Sequence, residues 1–149
     1  MNYKKLIGII IVTLIIGSLP SIIMNMMGMN IDDLTKPALY PPNIVFPIVW
    51  TILYVLMSIS VFLATKDDNE PYTIYVIQLI VNALWTVIFF GFDFKLLGFI
   101  WILFLIVLVV IMIYQFYKQN KLAAILQIPY LLWLIFAAYL NMAIYLLNR

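Results

Sequence analysis

Apolar residues run almost unbroken along five stretches of this chain, and polar residues collect between them. The stretches span 6–27, 44–64, 72–92, 96–117 and 122–147. A helix that crosses a bilayer needs about 20 mostly apolar residues, and each stretch reaches that length. Strands of a membrane barrel would be about half as long and would alternate apolar with polar. The pattern therefore predicts an all-α membrane protein, a five-transmembrane-helix bundle, organised as one domain over 1–149. Apolar character at the N-terminus persists too long for a secretory signal and returns four more times, so the first stretch is read as a span.

Every charged residue lies outside these runs or at their ends. Lys4 and Lys5 precede the first. Asp32, Asp33 and Lys36 fall in the first connection, and Lys66, Asp67, Asp68 and Glu70 in the second. Asp93 and Lys95 mark the third, Lys118 and Lys121 the fourth, and Arg149 stands last. Five crossings put the two ends on opposite sides. Lys4, Lys5, Lys66, Lys118 and Lys121 share the N-terminal side, against Lys36, Lys95 and Arg149 on the other. The excess of basic residues favours a cytoplasmic N-terminus in a multi-pass protein of the cell membrane. The first connection, 28–43, is the one long loop. Pro37, Pro41 and Pro42 stiffen it, and Pro47 stands where the first turn of the next helix tolerates it. This loop is predicted to be a braced lid over one end of the bundle, with a plain rigid linker as the alternative.

Composition sharpens the picture. The chain has 149 residues, 67% of them hydrophobic and 9% charged, with a net charge of +2; its mean hydropathy is +1.16. Soluble domains carry roughly 25% charged residues. No basic stripe supports nucleic-acid binding. The chain has no cysteine and no histidine. Disulfides, thiolate chemistry, the commonest metal ligand and the usual general base are thereby excluded, and no metal site is expected. A haem could not be held through His or Cys. No Asp, Glu, Lys or Arg lies deep in a span, which argues against charge-coupled pumping.

Neutral polarity and aromatics remain. Gln78, Asn82 and Trp85 stand at i, i+4 and i+7, on one helix face. Trp50, Tyr54 and Met57 repeat that spacing on the second helix. Tyr130, Trp133, Ala137 and Asn141 fall within one arc of the fifth. An amide facing lipid would go unsatisfied, so Gln78, Asn82 and Asn141 are expected to point inward. Such amides often serve only as interhelical hydrogen bonds, and Trp50 and Trp101 also suit an interfacial belt. Three convergent faces of indole, phenol and carboxamide nevertheless suggest a pocket for a flat aromatic ligand. Gly17 and Ser21 form a small-residue face suited to close helix packing or to a dimer. Leu140, Tyr145 and Arg149 fit a proposed cholesterol-contact pattern of low specificity. Pro20 and Pro129 are candidate kinks.

The same residues resemble the TspO/MBR family of translocator and tryptophan-rich sensory proteins. Lys36-Pro37, Pro41-Pro42, Phe46, Trp50-Thr51 and Leu53-Tyr54 match its first loop and second helix. Tyr75, Gln78-Leu79, Asn82, Trp85 and Phe89-Phe90 match its third. Pro129-Tyr130, Leu132-Trp133, Phe136-Ala137 and Leu140-Asn141 match its fifth. The resemblance implies a membrane protein, usually a homodimer, that binds porphyrins, and in animal relatives cholesterol and isoquinoline carboxamides, in a pocket beneath the first loop. The ligand-binding residues it implies are Trp50, Tyr54, Gln78, Asn82, Trp85, Trp133, Ala137 and Asn141; Tyr130 joins them from the residue reading, and Tyr40 as a partial stand-in for a family tryptophan. Two family tryptophans are replaced here, by Leu39 and Ile44, and Tyr40 stands beside the first. No cofactor is obligatory; a porphyrin would be ligand or substrate.

Three functions follow as expectations. A sensor, regulator or carrier would bind the porphyrin without changing it. An enzyme would degrade it photo-oxidatively, with Trp50, Trp85 or Trp133 as electron donors, because no acid–base pair is available. A passive transporter would move a tetrapyrrole or a sterol-like ligand across the bilayer.

Overall fold

The computed structural model describes residues 2–66 and 70–149. Asp67 and Asp68, assigned above to the second connection, lie outside the described residues. The chain forms α1 (Tyr3–Met26), α2 (Val45–Ala64), α3 (Glu70–Thr86), α4 (Lys95–Gln119), α5 (Lys121–Leu126) and α6 (Ile128–Leu147), with a π-helical turn, Val87–Gly91, extending α3. No strand occurs among the described residues. Five helical stretches are long and apolar enough to cross a membrane: Tyr3–Met26, Val45–Ala64, Glu70–Gly91, Lys95–Gln119 and Lys121–Leu147.

Local chemistry accounts for the boundaries. Asn2 caps α1 by accepting from the Lys5 N–H at 3.2 Å. Asn120 leaves the helical region at φ −156°, ends α4, and caps α5 through the Ala123 N–H at 3.2 Å. The last stretch was expected as one helix and is divided at Gln127. Pro129 has no N–H to offer the Ile125 carbonyl, so the ladder breaks there and restarts with proline in the first turn. Pro20 lies inside α1 and likewise leaves the Ile16 carbonyl without its backbone donor.

Packing follows from which faces carry small or polar residues. α1 buries only Ile9, Thr13 and Gly17, a stripe at i, i+4 and i+8, and lies against α2 and α3; α4 lies between α3 and α6. The backbone of α2 stays close to α5 but draws away from α6. Gly17 is placed by contact, since a Cβ there would sit 2.3 Å from the Tyr54 ring. Of the two packing roles open to Gly17, the structure uses it within the chain, while Ser21 is exposed. Gly98 does the same for α3 and α4, where a Cβ would come within 2.9 Å of Phe89.

The buried polar residues among those described are hydroxyls and amides, with no Asp, Glu, Lys or Arg among them. Ser60 donates to the Ala123 carbonyl and ties α2 to α5. Large apolar side chains are exposed along every span, Ile11, Ile52, Ile80, Val107 and Leu132 among them. That surface suits hydrocarbon and would be untenable in water.

Candidate functional site

Three spans converge as the spacing predicts. Gln78, Asn82, Tyr54 and Tyr130 are buried, and they bond to one another and to α1. The Tyr54 hydroxyl donates to the Gly17 carbonyl at 3.0 Å, with Asn82 Oδ1 a second acceptor at 3.2 Å. Asn82 Nδ2 donates to the Tyr130 hydroxyl, which donates in turn to Gln78 Oε1, both at 2.9 Å. Tyr75 adds a bond to Thr13. One continuous network thus links α1, α2, α3 and α6. The expectation of a shared hollow is modified here, because these groups fill the centre by satisfying each other. Gln78 Nε2 is the exception, buried with no hydrogen-bond partner among the described residues.

Open space lies beside this network. Where α2 and α6 part, a groove of about 440 Å³ runs between Val49, Leu53 and Leu56 on one wall and Pro129, Trp133 and Phe136 on the other. Rings line the approach from the loop. Tyr40 meets Phe46 at 5.4 Å, Phe46 meets the edge of Trp133 at 5.9 Å, and Trp133 meets Phe136 at 5.5 Å. Trp50 stacks on Tyr54 at 5.5 Å and presents an edge to Tyr130 at 6.2 Å. Trp50 therefore packs on the network and does not line the groove. Trp133 Nε1 is buried and has no partner among the described residues.

A third group lies under the loop. Trp85 Nε1 donates to Asn141 Oδ1 at 3.2 Å, and Asn141 Nδ2 donates to the Ala137 carbonyl at 2.8 Å. Trp85 also stacks on Phe89 at 5.6 Å. The π turn sets Phe89 and Phe90 edge to face at 5.0 Å. Ile31, Leu34 and Tyr40 of the loop pack onto Phe89, Ile144 and this tryptophan. The loop is thus folded onto the bundle end as a lid. Its Thr35 N–H donates to Asn148 Oδ1 at 2.8 Å, and Asn148 Nδ2 donates back to the Thr35 carbonyl at 2.9 Å. Within the lid, Lys36 pairs with Asp32 at 3.7 Å and lies 5.0 Å above the Tyr40 ring. Burial, with a smaller contribution from the Asp32 carboxylate, raises the Tyr40 phenol above its usual 10.0. Leu39 and Ile44 both point away, 68% and 65% exposed.

Sequence reasoning omitted Phe46 from the site, although it precedes Trp50 and Tyr54 at the same four-residue interval. The Thr35–Asn148 clasp had no signal, since Asn148 lies beyond the last apolar run.

Comparison with known proteins settles the lineage. The TspO/MBR family pattern matches residues 9–147. The chain belongs to the TspO/MBR family. It is 36% identical to the tryptophan-rich protein TspO of Archaeoglobus fulgidus, over 99% of each chain. It is 37% identical to the protein of that name from Chlorobaculum tepidum, over 77% of each. The human translocator protein is 32% identical over 75% of this chain and 70% of its own length. Family membership and the five spans together make this a multi-pass membrane protein.

Proposed function

We propose that this protein binds porphyrins and related flat, apolar ligands beneath its lid, in the space between α2 and α6, as a sensor or carrier. The observation that carries this reading is the Trp133 indole, which lines the groove and whose buried N–H has no partner among the described residues. A buried donor without an acceptor is costly, and a turn of the indole toward the groove would present it to a ligand nitrogen or carboxylate. The supporting geometry is the pair of rings Trp133 and Phe136 on the groove wall, continued toward the loop by Phe46 and Tyr40. Stacked or edge-on ring contacts add about 0.5–1.5 kcal/mol each. The groove volume lies within the roughly 300–1,000 Å³ usual for small-molecule sites. With no histidine or cysteine in the chain, recognition rests on ring contacts, so a metal-free porphyrin suits the site as well as haem. Relatives named tryptophan-rich sensory protein, from Cereibacter sphaeroides, and translocator protein, from Homo sapiens, fit a ligand-responsive role.

Absorbance titration with protoporphyrin tests the proposal. The Trp133→Ala, Phe136→Ala double variant should bind at least about tenfold more weakly, as expected for two lost ring contacts. Wild-type affinity in a folded double variant would refute this placement.

A further inference from the structure

Sulfur collects at the end of α1. Of the chain's 8 methionines, Met24, Met26, Met27 and Met29 stand together in the run Met-Asn-Met-Met-Gly-Met. The first five turns of α1 meet lipid through isoleucine, leucine and valine instead. Those residues would serve equally at the end of the span, so the change to thioethers calls for another reason.

The turn at this end decides which thioethers are neighbours. Gly28 takes a φ of +72°, a conformation that favours glycine. Its N–H donates to the Asn25 carbonyl at 3.0 Å, and the Met29 N–H donates to the Met24 carbonyl at 2.9 Å. This pair of bonds folds the chain back over the last helical turn, and it commonly sets the residue after the glycine against the one five positions before it. Here those residues are Met29 and Met24. Met27 follows Met24 by three residues and shares its helix face, whereas Met26, two residues on, does not. Met24 and Met29 are half-buried, and Met27 is exposed. Met24 Sδ rests against Gly91 of the π turn, where a Cβ would come within 3.1 Å of it. The glycine thus leaves one flank of that sulfur uncrowded.

We infer that Met24, Met27 and Met29 form a binding site for one soft monovalent metal ion, copper(I), for which silver(I) is the redox-inert probe. Donor chemistry selects this class. The absence of cysteine and histidine removes thiolates and imidazoles but leaves thioethers. Thioethers are uncharged and polarizable, and they favour copper(I). Three neutral sulfurs bring no charge to offset a divalent ion, and calcium or magnesium would find no oxygen among them. Local charge agrees. No basic residue stands between Lys5 and Lys36, and Asp32 and Asp33 follow the run. The C-terminal end of a helix also favours a cation. A bound ion would fasten the root of the lid, since Ile31, packed with Phe89 and Ile144, lies just beyond Met29.

The test titrates silver(I) into the full chain, in detergent free of thiols and chloride, with calorimetric readout. The wild type should bind one ion per chain. Leucine keeps the volume and apolarity of methionine, so Met24→Leu with Met27→Leu and Met29→Leu should retain the helical circular dichroism and lose the site. Met27→Leu alone should weaken binding about tenfold or more, since even the groups behind a metal ligand are worth about 10–100-fold in affinity. Met26→Leu, in the same run but on another face, should bind as the wild type does. X-ray absorption of the chain loaded with copper(I) should show a shell of sulfur without nitrogen or oxygen. A wild type that takes up no silver overturns the assignment. So does binding that survives the triple variant, a loss in Met26→Leu equal to that in Met27→Leu, or a copper shell of nitrogen and oxygen.

Discussion

The network at the middle of the bundle and the lid at its end are built from similar residue types, but they are held differently. In the network, phenols and amides are almost wholly buried, and each bond joins one helix to another. In the lid, the bonds are mostly short-range and the clasp to α6 is exposed. A buried polar group that loses its partner bears the full desolvation cost, whereas an exposed one turns to water. The network should therefore open only with the bundle, while the lid opens by itself at low cost.

Gly17→Leu should break this division most severely. Its side chain would occupy the volume of the Tyr54 ring, and overpacking with loss of that hydrogen bond should cost about 3 kcal/mol. Denaturant titration in detergent would read it, and a stable variant would mean that Tyr54 does not lie on α1. Asn82→Leu comes next. It removes the link between Tyr54 and Tyr130 and should cost about 1–2 kcal/mol, toward the upper range of membrane hydrogen bonds. A double-mutant cycle with Tyr130→Phe should show coupling, and simple additivity would deny the network. Asn148→Ala should leave global unfolding within about 0.5–1 kcal/mol of wild type, since it removes an exposed clasp. It should still speed hydrogen exchange several-fold in the lid alone. Equal acceleration in α3 would merge the two regions into one unit.

The smallest effect concerns pH. The Tyr40 phenol titrates higher in the folded lid than in a free chain. The folded state then holds its proton more firmly, so lid packing is unchanged below the ordinary value of 10.0 and weakens as pH climbs past it. Difference absorbance between wild type and Tyr40→Phe should show a phenol ionising above that value.

The architecture was legible because each span is a continuous apolar run, and hydrocarbon permits few alternatives to a helix. The inward direction of Gln78, Asn82 and Asn141 was legible for the same reason. Their partners were not. Spacing places Asn82 on a face, but it cannot say that Tyr130 and Tyr54 will saturate it and close the centre. The parting of α2 from α6 was also hidden, because it depends on how Gln127 and Pro129 break the last span. The role of Gly17 illustrates the limit: a small residue announces a close approach without naming what approaches.

The groove between α2 and α6 is bordered by Ile52 and Leu132, both more than half exposed on the lipid-facing surface. A guest reaching it sideways would arrive from among acyl chains instead of from buffer. Its effective abundance would then be its mole fraction in the bilayer, and any measured dissociation constant should rise as lipid is added at fixed protein.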